Sequence, residues 1–140
     1  MNLSKYVTLS EAIRSQTATR KGIGNNPDPE QIKKMKLVAT KCFDPVREFA
    51  NTALYISSFF RSVELNFEIG GSQTSQHCKA EAIDIDADVY GGISNREIFN
   101  YIKDNLDFDQ LIWEFGDKNN PAWVHVSYKE VGNRKKVTYL

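Results

Sequence analysis

The chain has 140 residues, 41% hydrophobic and 26% charged, a composition that fits one globular domain (1–140) with a real core. Eighteen Lys and Arg balance eighteen Asp and Glu. The formal net charge of zero excludes the basic excess of a nucleic-acid binder, and no nucleic-acid or protein partner is expected. No run of about 18 apolar residues forms a membrane span, and Met1–Lys5 lack the apolar stretch of a signal peptide, so synthesis in the cytoplasm is expected.

Thr8 and Glu11 have capping-box spacing, so a helix is predicted from Leu9 to about Gln16. Lys21–Pro27 read as a loop. Asp28 is a good N-cap and Pro29 suits a first helical position. Ile32, Met35, Ala39 and Cys42 then recur at helical spacing. Asp44-Pro45 repeats the cap-plus-proline pattern, which predicts a further helical segment holding Val46, Phe49 and Ala50. Leu54–Phe59 is β-rich. Ser62–Ile69 is a short helix or a turn, closed by Gly70-Gly71. Ala82-Ile83-Asp84-Ile85-Asp86 alternates strictly, as a strand with its aspartates on one face does. Ser94 and Glu97 form a second capping box, followed by Ile98, Ile102 and Leu106. Gln110–Phe115 and Trp123–Tyr128 are two strands joined by a turn-like stretch, which predicts a hairpin. Val137–Tyr139 adds an edge strand. Helices first and hairpin-linked strands later predict an α+β fold with N-terminal helices on a mostly antiparallel sheet.

The two cysteines, Cys42 and Cys78, are too sparse for a disulfide scaffold, and Cys42 reads as a core thiol. The two histidines are more informative. His77 precedes the 82–86 strand, Asp84 lies on it, and His125 sits mid-strand. His and Asp are ordinary zinc ligands, and three protein ligands plus a water is the usual catalytic arrangement. The three can meet if the strands of Asp84 and His125 are neighbours. On spacing alone, a packed or surface histidine is the commoner state.

The surrounding residues change that balance. Ser75-Gln76-His77-Cys78-Lys79-Ala80-Glu81-Ala82-Ile83-Asp84 resembles the S-x-H-x-x-G-x-A-x-D motif of zinc D-Ala-D-Ala carboxypeptidases and L-alanyl-D-glutamate endopeptidases. Ser57-Ser58-Phe59-Phe60-Arg61-Ser62-Val63-Glu64-Leu65-Asn66 is similar to the S-S-G-Y-R-S-x-x-L-N segment of that family, and Trp123-Val124-His125 to its W-x-H segment. Gly70-Gly71-Ser72 leads into the histidine motif as it does in relatives. Ser15–Ala18 and Gly22–Asn25 resemble the small single-domain branch found in phages and prophages. Two departures stand out: Ala80 replaces a glycine, and Phe59-Phe60 replace Gly-Tyr.

The resemblance implies a Hedgehog/DD-peptidase-type fold, one Zn²⁺ held by His77, Asp84 and His125, and hydrolysis of a peptide bond in peptidoglycan stem peptides. Zinc would lower the pKa of a water in the fourth position. Many relatives carry a Glu three residues before the last histidine. Here that position is Ala122, and Glu114, nearly opposite Trp123 in the hairpin, is the replacement base. The family arginine corresponds to Arg61, which would bind and polarise substrate, and Ser75 to a serine near the substrate. Asp86 is either a residue orienting a histidine or solvent-exposed. Cys78 is not at a ligand position. A phage-type endolysin delivered to the bacterial cell wall by a holin or a phage particle fits this reading. The alternative is a non-catalytic, zinc-stabilised wall-binding or phage structural module on the same fold.

Overall fold

Five strands make one sheet in the computed structural model, which describes residues 1–140. They are β1 (Tyr55–Ser58), β2 (Ala82–Asp86), β3 (Gln110–Glu114), β4 (Trp123–Ser127) and β5 (Lys136–Tyr139). Their spatial order is β1-β2-β4-β3-β5. All neighbours are antiparallel except β5, which runs parallel to β3 at the edge. The expected α+β architecture and mostly antiparallel sheet are therefore present, and β3 and β4 pair as the hairpin expected of them.

The alternation in β2 does what its sequence dictates. Ile83 and Ile85 point into the core with no exposed surface. Asp84 and Asp86 take the opposite face. Against the apolar side pack α3 (Pro29–Val38), on β2, and α6 (Asn95–Asn105), on β3 and β4. Ser94 and Glu97 cap α6 reciprocally, and Ile98, Phe99 and Ile102 bury its apolar stripe. A single cluster of 25 buried residues runs from Leu3 to Val126.

The N-terminal third departs from expectation in two places. The first helix is α1 (Leu9–Ile13), ended by Arg14; Ser15 then caps a separate α2 (Gln16–Lys21) by accepting the Ala18 N–H at 3.1 Å. Asp44 is not an N-cap. Its backbone is helical (φ −56°, ψ −43°), and α3 continues through a wider π turn at Ala39–Phe43 into α4 (Asp44–Ala50). Pro45 has no N–H to give and its ring crowds the preceding turn, so a locally wider turn lets the helix absorb it. The Asp44 carboxylate instead accepts from Ser4 Oγ at 2.8 Å and Lys5 N at 3.2 Å, tying the N-terminus to this helix. The Ser62–Ile69 stretch resolves as a helix, α5 (Val63–Glu68), with Ser62 as its cap. Cys42 is the core thiol expected of it, and burial, with Asp107 nearby, pushes its pKa up to about 12.

Candidate metal centre

Asp84 and His125 are direct cross-strand partners in the β2–β4 ladder. Their side chains therefore share a face and meet, with His125 Nδ1 3.0 Å from Asp84 Oδ1. His77 arrives from the loop before β2 and places Nε2 3.2 Å from Asp84 Oδ2. The two imidazoles meet edge-on, centroids 5.2 Å apart. All three residues are buried, and their ligand atoms lie within 4.8 Å of one another. Burial alone would raise the Asp84 carboxyl, but the His77 and His125 imidazoles outweigh it and hold the group well below the usual carboxylate range.

The donor set fits zinc. Two imidazoles and a carboxylate are borderline ligands of the kind zinc takes, unlike the all-oxygen shells of calcium or magnesium. The far side of His77 supports this. Its Nδ1 is 2.7 Å from the Phe59 carbonyl, an acceptor only, so Nδ1 carries a proton and Nε2 is the nitrogen left to ligate a metal. His125 likewise turns Nδ1 to the cluster and Nε2 to Gln76 Oε1, 3.1 Å away.

The loop that carries His77 is held tightly. Ser75 Oγ accepts the His77 N–H at 3.2 Å. Ala80 adopts a left-handed conformation (φ +61°) while fully buried, which is the geometry that a glycine would take at no steric cost. Alanine tolerates it because its methyl fills core space. A β-branched side chain would not: Ala80→Val is expected to cost about 2 kcal/mol or more in urea unfolding, from backbone strain and overpacking. Ala80→Gly is expected to stay within about 1 kcal/mol of wild type, since relieved strain offsets the lost methyl and added chain entropy. Cys78 lies outside the cluster; its Sγ sits 3.9 Å from the Ser62 carbonyl, and burial pushes the thiol up against the pull of Arg61.

Arg61 lies just after β1. Its backbone N–H donates to the His77 carbonyl at 3.4 Å, so it is joined to the same loop. Nη1 donates to Asn66 Oδ1 at 3.3 Å, while Nε is buried without a partner. An orphaned guanidinium nitrogen is costly unless something else occupies it in the working state. Two buried asparagines, which the sequence placed in family-like segments without giving them a role, fix this arginine. Asn25 donates to the Phe60 carbonyl at 3.1 Å and accepts the Ser62 N–H at 2.7 Å, clamping both neighbours of Arg61. Asn66 also donates to the Ser72 carbonyl at 2.8 Å, across a turn where a Cβ on Gly71 would stand 2.0 Å from Asn66 Oδ1. Any larger residue there would displace the Asn66 amide from its bonds to Arg61 and Ser72.

Glu114 pairs with Trp123 and His125 with Ile112, so Glu114 lies one same-face step diagonally from His125. The turn after it secures that register. Gly116 takes φ +71°, where a Cβ would meet the Asn120 carbonyl at 2.2 Å, and Asp117 Oδ1 accepts from Asn119 N and Asn120 N. Burial raises the Glu114 carboxyl above its ordinary value, with His125 lowering it and Asp84 raising it further. Asp86 plays a different part from orienting a histidine: its Oδ1 accepts from Asn95 Nδ2 at 3.0 Å and from Asp88 N at 3.2 Å, away from both imidazoles.

A cleft of about 690 Å³ opens onto the centre, with Arg14, Gln16, Tyr55, Arg61, Asp84 and Trp123 on its walls. The α1–α2 junction thus forms one side and the sheet the floor. No helix is long and apolar enough to cross a membrane.

Three metal-capable side chains clustered where a cleft opens, beside an arginine on its wall and a half-buried glutamate, are the parts of a metallopeptidase centre. The family model for peptidase M15 matches residues 5–127, and the chain belongs to that family of zinc-dependent peptidases. Its α+β fold is compatible with that membership. No curated protein matches the chain.

Proposed function

We propose that this protein is a zinc peptidase that hydrolyses a peptide bond in peptidoglycan stem peptides, as a D-Ala-D-Ala carboxypeptidase or an L-Ala-D-Glu-type endopeptidase of the phage endolysin kind. The observation that carries this reading is the convergence of His77, Asp84 and His125 in one buried cluster whose Asp84 lines the cleft, with Glu114 on the same sheet face and Arg61 on the cleft wall.

His77 Nε2, an Asp84 carboxylate oxygen and His125 Nδ1 would hold one Zn²⁺. Zinc, when bound, supplies a Lewis acid that polarises the scissile carbonyl and makes a water acidic enough to react near neutral pH. Glu114 takes the proton released as the water attacks and delivers it to the departing amine. Burial of Glu114 raises its basicity for this purpose. Arg61, on the cleft wall, offers its guanidinium to a substrate carboxylate or amide oxygen, where negative charge grows in the transition state. Ser75 keeps the substrate-side role that the family motif gives its serine, next to His77.

The test is incubation of the zinc-loaded protein with purified muropeptides, read by mass spectrometry. Release of a terminal D-alanine identifies a carboxypeptidase, and separation of L-alanine from the stem identifies an endopeptidase. Bound zinc with neither product would leave the non-catalytic module that Ala122, at the usual glutamate position, otherwise favours.

A further inference from the structure

The family match ends at residue 127, yet the chain beyond it reaches back to the metal centre. Lys135 N donates to the Phe108 carbonyl and Lys136 N to the Asp109 carbonyl, both at 2.9 Å, as β5 joins the sheet. This brings Arg134 over Asp109, whose side chain has no exposed surface. Arg134 Nε donates to Oδ1 and Nη2 to Oδ2, each at 2.9 Å, a two-pronged grip, and the Arg134 backbone N–H adds a third bond at 3.2 Å. Lys129 Nζ stands 3.9 Å away. The last acceptor direction of Oδ2 takes the Gln76 side-chain amide, Nε2 donating at 2.9 Å.

That last contact has a directional consequence. The hydrogen bonds from Arg134 hold the Asp109 carboxyl down at about 2, so at neutral pH it only accepts. Gln76 must therefore present its NH₂ to Asp109 and its oxygen to His125. An oxygen 3.1 Å from His125 Nε2 requires the imidazole proton on Nε2. Nδ1 is then the nitrogen left to ligate a metal beside Asp84.

We propose that Gln76 is a positioning residue for His125, and that the C-terminal segment 128–140 fixes Gln76 through Arg134 and Asp109. The inference rests on the peptidase reading above in taking His125 as a zinc ligand. A hydrogen bond to the far nitrogen of a metal-bound histidine locks its tautomer and orientation and makes it a better donor. In this chain that support is borrowed from residues outside the family match, so truncating or altering the tail should loosen the metal without touching a ligand.

The experiment is zinc affinity by competition with a chromogenic chelator, on the full chain at neutral pH, for wild type, Gln76→Ala, Arg134→Ala, Arg134→Lys and the Gln76→Ala/Arg134→Ala double variant. Gln76→Ala is expected to weaken zinc binding about 10-fold or more, the usual range for such a partner. Arg134→Ala should weaken it less, Arg134→Lys should recover part of the loss, and the double variant should match Gln76→Ala alone, because Arg134 acts through Gln76. Arg134 is 51% exposed, so its removal does not open the core; matching amide NMR spectra check this for every variant. In the zinc-loaded wild type the His125 Nε2 proton should be visible and slow to exchange, and in Gln76→Ala it should be lost. Zinc affinity unchanged in Gln76→Ala, or losses that multiply in the double variant, overturn this inference and leave the peptidase reading standing. A wild type that binds no zinc overturns both.

Discussion

Glu114→Gln is expected to lower kcat/KM on a stem-peptide substrate by about 10²–10⁴-fold while zinc content stays at the wild-type level. Glutamine keeps the size and hydrogen-bonding reach of the side chain but cannot accept the proton that the attacking water gives up. The register of the β3–β4 hairpin carries this expectation: Glu114 faces Trp123 and lies diagonally beside His125 on one face. A shift of one residue would send it to the other face, where it could do nothing for the reaction. Glu114 is no part of the three-residue cluster, so its loss should not release metal. Equal rates in wild type and variant would remove Glu114 from the reaction. Lost zinc would mean that it acts on the metal rather than on the proton.

His77→Ala is expected to abolish stoichiometric zinc binding, and with it both turnover and the response of stability to metal. At free zinc a thousandfold above Kd, binding to the folded state adds about 4 kcal/mol. For a chain of this size that is a rise in melting temperature of roughly 10 °C. Wild type should lose that increment when a chelator is added. His77→Ala should melt at one temperature with zinc or with chelator. The variant also loses the Nδ1 bond to the Phe59 carbonyl, so its melt belongs beside that of zinc-free wild type. A variant that still gains stability from zinc would show that the metal sits elsewhere.

Much of the site was legible because its parts obey local rules. Alternation in Ala82–Asp86 puts Asp84 on a sheet face, and the turn residues between Glu114 and Trp123 predict a hairpin whose register can be counted. Capping boxes at Thr8/Glu11 and Ser94/Glu97 mark helix starts within one turn. Other features leave no local trace. Ser15 caps α2 without an apolar period behind it, so 16–21 did not read as a helix. Asp44-Pro45 looks like a helix start, but tertiary contacts from Ser4 and Lys5 and a π turn turn it into a continuation. Gln76 and Asp109 matter through side-chain hydrogen bonds to partners 25 to 49 positions away. No periodicity encodes such bonds; a glutamine in a loop looks the same whether it props a histidine or faces water.

The three metal-capable side chains do not stand on equally durable ground. Asp84 and His125 sit on β2 and β4, inside the sheet and flanked by strands on both sides. Their amides should exchange with solvent only when the whole molecule opens. His77 stands on a loop of turns between α5 and β2, tied by its N–H to Ser75 Oγ, by its Nδ1 to the Phe59 carbonyl and by its carbonyl to the Arg61 N–H. Outside any strand ladder, such a segment is expected to open at a smaller free-energy cost than the sheet, closely tied though it is at rest. Bound metal is therefore expected to leave by local opening at the His77 side, with a lifetime set by that loop's stability rather than by the sheet's. A substrate lying in the cleft, with Arg61 bonded through its backbone to His77, would hold that door shut during turnover.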